Sequence, residues 1–201
     1  ISIGLVGSEM CIRDRTGGIG VGKTYVANII ENMGFPVFYS DKVSKNLLNT
    51  NQNLITLIKE NFGEEIYQSD NLINTKKLSL LAFNDNEVLK KLNKIIHPFV
   101  FESFNNWCEN QTSKFIFKEA AILFESKSNK DLDKVICVSA GTEIRIKRIE
   151  RRDGRTSNDI RKIISNQMSQ SKKEKLSDYI IENDGNKSVL FQISEILKKL
   201  E

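Results

Sequence analysis

Apolar residues recur at helical spacing from Val26 through Ile29 and Ile30 to Met33, and the run stops at Gly34. That period predicts a helix over residues 23–33 closed by a glycine. On either side the pattern shortens into runs rich in branched and aromatic residues: ISIGL at 1–5 and FPVFY at 35–39. Strand, glycine-rich loop, helix and strand in that order open a βαβ unit with a parallel sheet. From about residue 41 to 110 the pattern is helical again, in KVSKNLL, LITLIKENF, KKLSLLAF and EVLKKLNKIIHPFVFESFNNWCE, joined by Asn- and Asp-rich turns. Pro98 has no N–H to donate and is expected to begin or kink a helix there.

Beyond this region the strand signal returns. KFIFKEAA (114–121) and KVICVS (134–139) predict two more strands, and the continuous apolar run of the second suits a sheet covered on both faces. A basic helix is expected at 142–152, a short fifth strand at 179–181 and a closing amphipathic helix at 188–200. The pattern as a whole predicts one α/β domain over residues 1–201: a five-stranded parallel sheet flanked by helices, with a helical insertion at 42–112. No repeats or low-complexity linkers divide it.

Composition changes this picture little. At 201 residues, 39% hydrophobic and 28% charged, the chain matches a globular protein with a sizeable core. No apolar run approaches the roughly 18 to 20 residues of a membrane span, and no signal peptide is recognisable. Three scattered cysteines (Cys11, Cys108, Cys137) and a single histidine, His97, form no zinc-like spacing. A cytoplasmic protein without a Cys/His metal centre is therefore expected. The net charge of +4 fits an anionic partner. Eight of the Lys and Arg residues fall between Glu143 and Lys162, against four acids. A solvated helical face would account for that run as well as a phosphate site would.

The candidate chemistry begins at Gly17-Gly18-Ile19-Gly20-Val21-Gly22-Lys23-Thr24, which matches G-x-x-x-x-G-K-[ST]. Glycines let successive backbone N–H groups surround a phosphate, and the helix behind them adds its N-terminal dipole. Lys23 is placed to bridge the β- and γ-phosphates, and the Thr24 hydroxyl to bind magnesium. A GTPase fits poorly, since Asn129-Lys130-Asp131-Leu132 carries its acid one place too early for guanine recognition. A kinase needs a group that orients and deprotonates the acceptor hydroxyl. Asp41, just past strand two, suits that role, and it would equally serve as a helix N-cap. Arg145, Arg148 and Arg152 fall at i, i+3 and i+7, on one helical face, where Arg forks can stabilise a phosphoryl group in transfer. The polar stretch from Arg152 to about Lys175 is expected to be a mobile lid, residues 152–176.

The ordered set TGGIGVGKT, the SD of FYSDKVSK, IIHP, AILFES, RIERRDG, the Gln of ISNQM and SDYIIENDG resembles the dephospho-CoA kinase family. The match runs from Thr16 nearly to the C-terminus. The resemblance implies ATP- and Mg²⁺-dependent phosphorylation of the ribose 3′-hydroxyl of dephospho-CoA, and a monomer that binds neither membrane nor nucleic acid is expected. It implies nucleotide contacts from Gly18, Ile19, Gly20, Val21, Gly22, Lys23, Thr24, Tyr25, Arg148 and Asn183. Lys23, Asp41 and Arg152 become the catalytic residues, with Asp41 as base and, beside Thr24, as metal-side group. Thr16 is placed near the acceptor, and residues 42–112 become the CoA-binding insertion. His97 stands at the family's His-Pro, where substrate contact and a packing role both remain open. Tyr39 replaces the first acid of the family's Asp-Ala-Asp, Ala121 its usual Pro, and Phe101 a frequent basic residue. Another P-loop nucleoside or nucleotide kinase is the nearest alternative. A P-loop nucleic-acid-binding module is a weaker one, because no aromatic residue interleaves with the basic run at 145–162.

One stretch resists this scheme. Residues 6–15, VGSEMCIRDR, separate ISIGL from the loop it should feed, and deleting them leaves ISIGLTGGIGVGKT. Glu9, Arg13, Asp14 and Arg15 make the stretch poor material for a strand buried on both faces. It also resembles linker-derived sequence found in translated sequencing reads. The expectation is a foreign insert, extruded as a flexible loop, with strand one kept at residues 2–5.

Overall fold

The structure, a computed structural model, describes residues 11–68, 72–120, 123–124 and 132–200, with backbone alone at 11–16, 79, 82–84 and 86. The chain divides into two compact units, one of residues up to Phe38 and from Gln111 onward, the other of Tyr39–Asn110.

The first unit is built on a sheet of β1 (Cys11–Thr16), β2 (Val37–Tyr39), β3 (Phe115–Glu119), β4 (Lys134–Ser139) and β5 (Tyr179–Glu182). Their order is β2-β3-β1-β4-β5. β1 runs parallel to β3, with Cys11 opposite Phe115, and parallel to β4, with Thr16 opposite Cys137; β4 runs parallel to β5. β3 and β4 are buried almost throughout, as strands covered on both faces must be. α1 (Lys23–Asn32) buries Val26, Ala27 and Ile30, and α9 (Val189–Leu200) buries Val189, Ile193, Ile196 and Leu197. α6 (Thr142–Asp153) and α7 (Ser157–Ser165) pack through Ile146, Ile149 and Ile160, with Ile19 and Ile164 at the edge of that cluster.

The position of β1 corrects the expectation for the inserted stretch. Residues 11–15 are not extruded; they form the central strand, flanked by both β3 and β4. The expected strand at 2–5 lies outside the described residues. Contiguity explains the outcome. The loop at 17–24 can be held at a sheet's carboxyl edge only by residues immediately before it, and the ladder uses backbone groups that every residue here supplies.

The segment from 152 to 176 is largely helical: Gly154 closes α6 in the left-handed conformation, Thr156 caps α7, and α8 (Gln170–Lys175) follows. Pro98 does not begin a helix, because α5 (Asn86–Glu109) runs through it.

The second unit is helical. α2 (Ser40–Thr50), α3 (Gln52–Phe62), α4 (Thr75–Asn84) and α5 enclose a core of Leu48, Leu54, Ile55, Ile58, Ile66, Tyr67, Ile73, Leu78, Leu92 and Ile96. The side chains of Asn51, Asn74 and Asp85 cap α3, α4 and α5 by accepting from N–H groups of their first turns, those of Leu54, Lys77, and Glu87 with Val88. The buried Tyr67 hydroxyl donates to the Leu48 carbonyl at 2.9 Å, and burial pushes its pKa up to about 12.

Candidate active site

The loop at 17–24 joins the carboxyl end of β1 to the N-terminus of α1. Gly17 lies so close to β4 that a Cβ there would stand 2.6 Å from the Val138 carbonyl oxygen, backbone that cannot move aside. Gly22 is the N-cap of α1 with φ of 93°, a left-handed conformation that favours glycine, and a Cβ there would collide with the Asn183 amide. These two positions account for the first and last glycines of the motif.

The carbonyl groups of the loop are held by side chains from elsewhere in the unit. Arg145 Nε donates to the Ile19 oxygen at 2.8 Å. Arg148 Nη1 donates to the Val21 oxygen at 3.3 Å, and Asn183 Nδ2 to the same oxygen at 2.8 Å. Arg148 Nη2 also donates to the Asn183 carbonyl, and the Asn183 N–H donates to the Ser139 carbonyl at the end of β4. The Arg145 guanidinium packs against Gly18 and is buried, and that burial lowers its pKa from the usual Arg value. Lys23 Nζ donates to the carbonyls of Gly17 at 3.1 Å and Gly18 at 3.3 Å. A set of fixed cations and one amide thus holds the loop's oxygens.

The Thr24 hydroxyl donates to Glu119 Oε1 at 3.4 Å. Glu119 ends β3, beside the central strand, and no reading of the sequence singled it out. The signal was present in an acid closing an apolar strand, but only the sheet order reveals that it faces Thr24. Thr16 ends β1, and Tyr25 is exposed on the first turn of α1.

Arg152 is exposed and forks onto its own neighbour: Nε reaches Asp153 Oδ1 at 2.7 Å and Nη2 reaches Oδ2 at 2.8 Å. This pairing raises the Arg152 pKa and holds the Asp153 carboxyl below the usual range. The expected face of three arginines is therefore divided, with Arg145 and Arg148 on the loop and Arg152 on Asp153. Asp41 and His97 belong to the helical unit. Asp41 lies in the first turn of α2, two residues past the end of β2, and is exposed; His97 is half-buried within α5.

Comparison with known proteins places this site in context. A family model described as dephospho-CoA kinase matches residues 12–188. The dephospho-CoA kinase of Chlorobaculum tepidum is 35% identical over 193 residues, 92% of each chain. That of Fusobacterium nucleatum is 35% identical over 177 residues, 88% of this chain and 91% of its own. Among solved structures, the Thermus thermophilus protein TT1252 superposes with a TM-score of 0.85 at 26% identity, covering 96% of this chain and all of that one. A dephospho-CoA kinase from Campylobacter jejuni shares the fold, with a TM-score of 0.67 at 24% identity over 95% of this chain and 97% of its own.

Proposed function

The chain belongs to the dephospho-CoA kinase family, and on that premise we propose that it transfers the γ-phosphoryl group of ATP to the ribose 3′-hydroxyl of dephospho-CoA. The observation that carries this reading is similarity across about nine-tenths of both chains to relatives bearing that name, on a chain whose phosphate loop is intact. In the reaction the ribose oxygen bonds to the γ-phosphorus and the bond to the β,γ-bridging oxygen breaks. Coenzyme A and ADP are the products.

The roles of individual residues follow from their chemistry. Lys23 exchanges its contacts with the loop carbonyls for the phosphates and follows the charge that develops on the transferring group. Asp41 accepts the proton of the acceptor hydroxyl, acting without a second carboxylate because Tyr39 occupies the position of the first. Arg148 and Asn183 act on the nucleotide through the loop carbonyl they share, and Arg152 leaves Asp153 to meet the phosphates. The helical unit supplies the surface for the CoA portion, with His97 on it.

The oxygens of Thr24 and Glu119 suit magnesium, which is held by one or two carboxylates and completes its shell with water and phosphate oxygens. When bound, the ion neutralises charge on the β- and γ-oxygens. Thr24 and Glu119 would hold it, with Asp41 as a further oxygen ligand. We also propose a monomer that binds neither membrane nor nucleic acid; no helix among the described residues is long and apolar enough to cross a membrane.

The test is a substrate panel. ADP release from ATP is expected with dephospho-CoA and not with free nucleosides. Turnover of a nucleoside without turnover of dephospho-CoA would move the protein to another kinase class. Asp41→Asn is expected to retain ATP binding and lose about 10²- to 10⁴-fold in kcat. Near wild-type kcat would remove Asp41 as the base.

A further inference from the structure

The N–H groups of Gly18 and Ile19 are bonded to two glutamines distant in sequence. Gln167, just past α7, accepts from the Ile19 N–H at 3.0 Å through Oε1. Gln170, which opens α8, accepts from the Gly18 N–H at 3.3 Å through Oε1. The other end of Gln170 is fixed as well: Nε2 donates to the Val138 carbonyl at 3.1 Å and to Cys137 Sγ at 3.3 Å. These contacts define the orientation of the Gln170 amide, because oxygen faces a donor and nitrogen faces acceptors. Both side chains are half-buried.

These bonds complete the coordination of one short piece of backbone. At Gly18 the N–H meets Gln170 and the carbonyl meets Lys23. At Ile19 the N–H meets Gln167 and the carbonyl meets Arg145. Every polar backbone group of Gly18 and Ile19 is therefore bound by a side chain. Glycine is the residue with most conformational freedom to lose, and this loop carries four within six residues, Gly17–Gly22. Left untied, its ordering would count against nucleotide binding.

We propose that Gln167 and Gln170 are positioning residues that preorganise the phosphate loop from the α7–α8 segment, Gln167 by gripping it and Gln170 by fastening it to β4. They touch no reacting atom; they act through the conformation of Gly18 and Ile19. The proposal rests on the loop being the nucleotide site, and not on the identity of the acceptor.

The test separates these two dependencies. ATP affinity is measured by calorimetry without acceptor, alongside kcat, the KM values for ATP and dephospho-CoA, and the melting temperature, all on the full chain. Gln167→Leu and Gln170→Leu are each expected to weaken ATP binding about three- to tenfold, the range of one lost hydrogen bond. The KM for ATP should follow, while kcat and the KM for dephospho-CoA stay within about twofold of wild type. Gln167→Glu retains an acceptor oxygen for the Ile19 N–H and should recover most of the affinity. Gln170→Glu should not, because it sets a carboxylate oxygen against the Val138 carbonyl.

ATP affinity equal to wild type in both Leu variants overturns the proposal. So does a loss that Gln167→Glu shares with Gln167→Leu, or a loss of kcat and of both KM values in proportion to a lower melting temperature. If the wild type fails to turn over dephospho-CoA while the Leu variants still weaken ATP binding, the clamp stands and the acceptor assignment falls.

Discussion

At the scale of single residues, the phosphate loop is a place where charge is held in reserve. Lys23 donates its ammonium to the Gly17 and Gly18 carbonyls, and we propose that it turns to a phosphate when nucleotide binds. Lys23→Ala is expected to lower kcat/KM about 10²- to 10³-fold and to weaken ATP binding as well, measurable by steady-state kinetics and calorimetry. Asp178 shows the same economy in a structural role. Burial tends to raise its pKa, but the Lys134 ammonium at 2.9 Å and the Val135 N–H at 2.8 Å outweigh that and hold it below the usual value. A carboxylate with a depressed pKa stabilises the fold above the unfolded value of about 3.9 and loses that contribution as pH falls through the lower, folded value. Asp178→Asn should therefore melt a few degrees lower than wild type at pH 7, and the gap should close as the pH falls below about 4. The effect stays modest because the group is about a third exposed.

At the scale of elements, β1 shows where reading the sequence succeeds and where it stops. The loop was legible because its chemistry sits in eight contiguous residues, and α1 because its apolar spacing continues unbroken into Gly34. β1 was misplaced because side-chain pattern favoured ISIGL, whereas proximity to the loop decided the outcome. Glu119 and Gln170 were not read as functional because their significance arises from partners 95 and 152 residues away. Periodicity carries no information about such pairs. We propose that residues 6–15 are foreign to the enzyme, and the strand register makes this testable. Deleting them places Ile1, Ser2, Ile3, Gly4 and Leu5 directly before Thr16, at the five positions opposite Phe115 to Glu119. A central strand favours apolar residues, so the shortened chain should melt higher by about 5 °C or more and bind ATP at least as tightly. Equal melting temperatures would show that the longer chain carries no strain.

At the scale of the whole molecule, the chain leaves the sheet after β2, builds the helical unit over Tyr39–Asn110, and returns at β3. The two stretches of the first unit are thus held apart in sequence, and Arg145, Arg148, Gln167, Gln170 and Asn183, which hold the loop, all come from the second. A Gly22→Ala exchange in the first stretch is accordingly a change against residue 183 in the second. It should disturb both, lowering ATP affinity and melting temperature together, since the new Cβ meets the Asn183 amide at a left-handed φ.

The placement of β1 between β3 and β4 also sets an order in time. During synthesis β1 and the phosphate loop are made before either neighbouring strand, since β3 is complete only once the chain has passed residue 119 and β4 once it has passed 139. The helical unit closes through contacts within 72 consecutive residues, Tyr39–Asn110, and such local contacts form fastest. Pulsed hydrogen exchange on the refolding chain should protect α3 and α5 before β1 and α1. β1 is written before both of its neighbours and cannot be completed until they follow, so a chain released before β4 carries the phosphate loop without the sheet edge that holds it.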